Sequence, residues 1–138
     1  MTMKVWPGYG SEHSMNLVMI GRFKEEEDAA KAKEIIGLIG DQFRADEEAE
    51  LARVGDVAER YTDGMRKLME RLDFYSVEPN EFQQFAYDVS VELKGNQLVL
   101  STDEADVSAF LKVLIRNGAR VEVYSAHDWP DKEKDATK

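Results

Sequence analysis

The two histidines of this chain, His13 and His127, are its strongest candidates for chemistry, because each sits beside a carboxylate, Glu12 and Asp128. Imidazole and carboxylate together suit non-haem iron, manganese or zinc with open coordination positions, and a Glu–His pair is also the minimum for general acid–base work. A divalent metal is thus the candidate cofactor, and Glu12, His13, His127 and Asp128 are the candidate ligands and equally the candidate catalytic residues. Strand ends, however, often carry exposed turn residues, and packing is the competing reading. A nucleophile at Ser11 or Ser14 is weaker still, since adjacent residues on an extended chain point to opposite faces and Ser14 does not meet His13. Trp6, Tyr9 and Trp129 are candidate ligand-binding residues as an aromatic wall, or else lids over an open end of the core. Gly8 and Gly10 do not form a phosphate cradle, because the nucleotide-binding loops need a strand before the glycines and a helix after them, whereas here a strand follows. The absence of cysteine excludes thiolate nucleophiles, iron–sulfur clusters, Cys-ligated zinc and disulfides.

The candidate residues can cooperate only if the fold brings the ends of the chain together. Residues 15 to 23, "MNLVMIGRF", are short, apolar and rich in strand formers, which predicts a largely buried first strand. "KEEEDAAKAKEIIGLIGDQF", residues 24 to 43, has acids in its first turn and apolar side chains at Ala29, Ala32, Ile36, Ile39 and Phe43, the spacing of an amphipathic helix. Gly37 and Gly40 each weaken it by up to about 1 kcal/mol relative to Ala, which predicts a close neighbour or an early end. The apolar series lapses across "RADEEAE" and resumes as Val54, Ala58, Tyr61, Met65, Leu68 and Leu72, predicting a second helix over 54–72. So regular a seam suits core packing, and it also suits a helix-to-helix homodimer contact.

From Phe85 to Leu93 apolar and polar residues alternate, predicting a strand with one buried and one polar face. Gly95 and Asn96 supply a two-residue turn into "LVLS", so that Leu93 opposes Leu98 and Val91 opposes Leu100. Ser101 and Glu104 form a capping box for a third helix, "TDEADVSAFLKVLIRN", closed by Gly118, and "ARVEVYSA" is the last strand. The order strand, helix, strand, strand, helix, strand, with right-handed crossovers, predicts a ferredoxin-like split βαβ sandwich. This is an α+β fold with an antiparallel four-stranded sheet, helices on one face, and here an extra helix between strands one and two. Residues 1–129 form one domain and 130–138 a frayed tail. In this topology the last strand runs antiparallel beside the first, placing His13 and His127 at adjoining strand ends. The extra helix strains the scheme, because "DFYSVEPNEFQ" must carry the chain back across the sheet, a reach of about 36 Å when extended.

The formal charge of −10 argues against a nucleic-acid-binding surface, since such affinity rests on cations that neutralise phosphates. Residues 25 to 50 hold ten acidic and three basic side chains, which reads as a solvated helix face or as an acidic surface for a basic partner. No apolar export segment precedes the first strand, and "LVMI" is far too short to span a bilayer, so the expected location is cytoplasmic, away from membrane.

"WPGYGSEHSMNLVMIGRF" resembles the opening of small bacterial proteins grouped as an uncharacterised family, a domain of unknown function beginning with Trp, Gly-Tyr-Gly and Ser-Glu-His-Ser. The resemblance covers about the first third of the chain and implies no catalytic residue, cofactor or partner. Since nothing in the sequence demands catalysis, the expected role is a binding or regulatory module for a small molecule or protein, with a homodimer through its sheet or its second helix as a further expectation. The rivals are a metal-dependent or acid–base enzyme with a cleft at the shared strand edge, and an acidic inhibitor or nucleic-acid mimic.

Overall fold

The computed structural model describes residues 17–103 and 107–125, and in it the early apolar run forms β1 (Leu17–Arg22). There follow α1 (Glu26–Glu48), α2 (Asp63–Leu72), a 3₁₀ helix (Pro79–Ala86), β2 (Val89–Lys94), β3 (Gln97–Thr102), α3 (Ser108–Arg116) and β4 (Arg120–Ser125). The strands form one antiparallel sheet in the order β2-β3-β1-β4. β1 lies inside the sheet and is buried on both faces, which is why its sequence is an unbroken apolar run rather than an alternation. Met19, Leu98 and Leu100 face the helices and join the main core with Ile39, Phe43 and Phe110. Val18, Ile20 and Val99 face the other way and form a second small cluster, with Tyr124 packed on it. The hairpin has the expected register, Leu93 opposite Leu98 and Val91 opposite Leu100, and β4 runs antiparallel beside β1.

Several expected boundaries move. α1 does not end near its glycines but runs on to Glu48, with Asp46 buried on its inner face. Gly40 lies 3.6 Å, measured from a built Cβ, from the Phe85 carbonyl, whereas the same position at Gly37 meets nothing within 4 Å. The predicted helix over 54–72 is helical only from Asp63, and residues 49–62 are irregular. Gly55, at φ +98°, holds a conformation that a right-handed helix does not contain. The apolar seam is therefore not a dimer-forming stripe: Val54 and Ala58 lie in the loop, while Met65 and Leu68 are buried in the chain's own core. Phe85 and Tyr87 precede the strand that their alternation predicts, because the 3₁₀ helix runs to Ala86 and β2 starts only at Val89. Ser101 does not open α3; it belongs to β3, and α3 starts at Ser108.

All three α-helices stop in the same way. After α1, Glu50 takes φ +61° and the Leu51 amide donates to the Asp46 carbonyl at 2.8 Å. After α2, Asp73 takes φ +52° and the Phe74 amide donates to the Met69 carbonyl at 3.0 Å. After α3, Gly118 takes φ +93° and the Ala119 amide donates to the Leu114 carbonyl at 3.0 Å. Each is a left-handed residue with a bond spanning five positions, the Schellman closure. Only at Gly118 does the residue type announce it, since a side chain in this conformation costs about 1 kcal/mol or more. Glu50→Gly is accordingly expected to raise the unfolding free energy by about 1 kcal/mol, read from the midpoint of urea denaturation, with the denaturant slope unchanged.

Candidate functional site

A 3₁₀ helix has three residues per turn, so positions three apart eclipse and the element presents three faces. Runs beyond three or four residues are uncommon, yet this one spans eight and uses every face. Phe82 and Phe85 point into the core. Glu81 and Gln84 meet α3, and Asn80 and Gln83 meet the 49–62 loop.

On the α3 side, Gln84 is 2% exposed; its Oε1 accepts from the Ala109 amide at 2.8 Å and its Nε2 donates to Ser108 Oγ at 3.1 Å. It satisfies the open N-terminus of α3, where Val107 at the N-cap has no side-chain bond to offer. Ser108 Oγ donates to Glu81 Oε2. Glu81 Oε1 accepts from Lys112 Nζ at 2.7 Å and from the Glu78 amide at 2.7 Å, and Lys112 Nζ also donates to the Ser76 carbonyl at 2.8 Å. Burial pushes the Glu81 carboxyl up, but the bonds from Lys112, Ser108 and the Glu78 amide outweigh it and hold the group below its ordinary value. A carboxylate so committed is a poor base, so the cluster joins elements rather than activating Ser108.

On the loop side, the Gly55 amide donates to Gln83 Oε1 at 2.8 Å and the Ala58 amide to Asn80 Oδ1 at 3.0 Å. Tyr61 donates its hydroxyl to the Val77 carbonyl at 2.7 Å and sets its ring edge-on to Phe82, centroids 5.3 Å apart. Burial, and then the charges of Glu78 and Glu81, raise the Tyr61 phenol, which keeps it a neutral donor. The end of the loop is fixed by Asp46, 4% exposed, which accepts from Gln42 Nε2 at 3.0 Å and from Thr62 Oγ1 at 2.7 Å. Thr62 Oγ1 in turn accepts from the Met65 amide at 3.1 Å, capping α2.

Between this loop, the end of α1 and the 3₁₀ helix lies a crevice of about 710 Å³. Its floor is apolar, from the buried Phe43, Met65 and Phe82, and its lips carry Leu51 and Val57, 65% and 78% exposed. Glu47, Glu50, Asp56 and Glu59 stand around it against Arg53 and Arg60, and Arg53 is drawn to Asp56 at 3.4 Å. On α1 the exposed Glu27, Glu34, Asp41 and Glu48 recur every seven residues and so share one solvent face, opposite the Phe43 side that lines the crevice, with Arg44 paired to Asp41 at 2.6 Å. A loop of this length without regular structure usually serves function when it is ordered, and a crevice with an apolar floor and convergent polar groups is where ligands bind.

Trp6, Tyr9, Ser11, Glu12, His13, Ser14, His127, Asp128 and Trp129 all fall outside the described residues. Leu17 pairs with Ser125, so the chain enters β1 beside the point where it leaves β4. Among the described residues there is no group of three His, Asp or Glu side chains that could hold a metal, and no helix long and apolar enough to cross a membrane. The apolar spacing of residues 54–72 predicts helix over this loop and so conceals the crevice; the positive-φ tolerance of Gly55 and the capping Thr62 are the residues that signal it.

A family model described as a family of unknown function (DUF6375) matches residues 3–136, and the chain belongs to that family. No curated protein and no solved structure matches it.

The Glu81 cluster makes stability depend on pH. Its carboxyl titrates below the ordinary value in the folded state, so its contribution is complete above that value and is lost as pH falls through the depressed one. Glu81→Gln should lower the melting temperature at pH 7 and flatten its fall between about pH 5 and pH 3, as followed by circular dichroism; parallel acid limbs in the two proteins would contradict this.

Proposed function

We propose that the protein is a ligand-binding module on a ferredoxin-like scaffold, and that its ligand, an apolar body bearing a cationic group, binds in the crevice under the 49–62 loop. The antiparallel pairing of β1 with both β3 and β4 supports the ferredoxin-like reading of the scaffold. The observation that carries the functional reading is the pairing of an apolar floor with a predominantly acidic rim, under a loop held by side-chain bonds to Gln83, Asn80 and Asp46. Phe82 and Met65 offer the ligand a dry surface, and Glu47, Glu50 and Glu59 offer its cation charge-assisted hydrogen bonds. The net charge of −10 adds a field of the same sign. Leu51 and Val57, exposed without ligand, are the apolar side chains that binding would cover.

The test uses 2-phenylethylamine and its anionic counterpart phenylacetate in nitrogen-15 NMR titrations. The amine is expected to shift the amides of Leu51, Val57, Tyr61 and Thr62 saturably, while phenylacetate leaves them in place. Val57→Ser, at an exposed position, should keep the fold and weaken the amine about tenfold, the loss of one buried side-chain contact. Equal response to the two probes, or shifts scattered over the surface, would refute the proposal.

A further inference from the structure

At the other end of α1, where β1 runs out, the sheet carries a row of four residues in direct register: Lys94, Gln97, Arg22 and Arg120, on β2, β3, β1 and β4. They share the face away from the main core, because strand side chains alternate and Met19 and Leu100 point the other way. The next row on that face carries Glu92 and Glu122. Arg22 Nε donates to Glu122 Oε1 at 3.1 Å, and Tyr124 donates its hydroxyl to the same oxygen at 2.8 Å. This holds the Arg22 guanidinium by one edge, and its two terminal amino groups make no hydrogen bond among the described residues.

Arg22, Lys24 and Arg120, with Phe23, Asn96, Gln97 and Gly118, line a cavity of about 370 Å³. The lining holds three cations and no carboxylate, in a chain with 28 acidic and 18 basic residues. Lys24 and Arg120 are exposed and have no ion-pair partner among the described residues. Glu26 reaches toward the β2–β3 turn, 3.9 Å from where a Cβ would stand on Gly95, but does not line the cavity. The corner is rigid: the Phe23 amide donates to the Asn96 carbonyl at 2.9 Å, and Asn96 Nδ2 donates to the Phe23 carbonyl at 2.9 Å. The carbonyls that end α3 nearby, which would repel an anion, are taken up by the amides of Asn117, Gly118 and Ala119 and by Asn117 Nδ2.

We infer that this corner binds a small phosphorylated molecule, its phosphoryl dianion seated among Arg22, Lys24 and Arg120. Two guanidinium forks and an ammonium match the oxygens of a phosphate monoester better than those of a single carboxylate. The ligand is small rather than a nucleic acid, because a polyanion reaching past the corner meets a chain of net charge −10 and the acidic face of α1. The cavity leaves room beside the phosphoryl group for a compact organic body against Gln97 and the Asn96 turn.

The experiment titrates the full chain at pH 7.5 with phenyl phosphate, with inorganic phosphate and with sodium chloride, at constant ionic strength, following nitrogen-15 amide shifts. Phenyl phosphate should shift Arg22, Phe23, Asn96 and Gly118 saturably, at least as tightly as inorganic phosphate, and chloride should not. Arg120→Ala and Lys24→Ala lie at exposed positions and should retain the melting temperature while weakening phenyl phosphate about tenfold each. Lowering the pH to 5.5 should weaken it further, as the dianion takes up a proton. An equal response to chloride, affinity unchanged in Arg120→Ala, or binding of inorganic phosphate without the monoester would each overturn the inference.

Discussion

The three-residue period of the 3₁₀ helix at Pro79–Ala86 is the constraint on which the rest of this structure depends. An α-helix here would turn Asn80, Glu81, Gln83 and Gln84 through 100° per residue and spread them around its surface. The tighter winding sorts them into separate columns instead, one toward α3 and one toward the 49–62 loop, while Phe82 and Phe85 share the third with the core. This geometry has poorer backbone hydrogen bonds than an α-helix, and eight residues of it persist because the side chains compensate. Gln84 and Glu81 are saturated by α3, and Gln83 and Asn80 by loop amides. The same segment returns the chain from α2 to β2, so the crevice floor, the N-terminus of α3 and the sheet are tied through one short element.

The polar groups at this junction are nearly all partnered across the chain rather than locally. Asp46 on α1 is met by Thr62, sixteen residues on, and the start of α3 is met by Gln84 from the 3₁₀ helix. A buried carboxylate or an open helix end costs several times what a single hydrogen bond contributes. These pairings are therefore obligatory, and they make the loop a fixed wall rather than a free excursion. The left-handed ends of α1 and α2 at Glu50 and Asp73 belong with them: both hold unfavourable backbone angles because the Schellman bonds and the packing beyond leave no alternative.

Charge is distributed as unevenly as the hydrogen bonds. Acids of α1 gather on its solvent face, and acids outnumber cations around the crevice, while Arg22, Lys24 and Arg120 come together where β1 ends. With 23 residues, α1 spans about 34 Å, several Debye lengths at physiological salt. The two regions therefore act as separate electrostatic environments, one favouring a cation and the other an anion, within a chain of net charge −10.

Much of the frame was legible in the residues alone. The apolar run of β1, the Gly-Asn hairpin with its register, the apolar face of α1 and the glycine stop of α3 are written in patterns of period two, period three to four, and residues that tolerate positive φ. Each is a local preference, repeated over enough residues to be unambiguous. The irregular loop and the 3₁₀ helix were not legible, because their conformations satisfy groups far along the chain. The apolar spacing from Val54 to Leu72 matches a helix, yet Gly55 and Ala58 give their amides to Gln83 and Asn80. The alternation from Phe85 matches a strand, yet Phe85 is drawn into the core by the 3₁₀ winding. The amino-acid sequence by itself determined which faces are apolar, where the tight β-turn lies and how the strands pair. Only the tertiary structure decided where the crevice and the basic corner form, because long-range hydrogen bonds and the meeting of cations from segments far apart in the chain leave no periodic trace in the residues that make them.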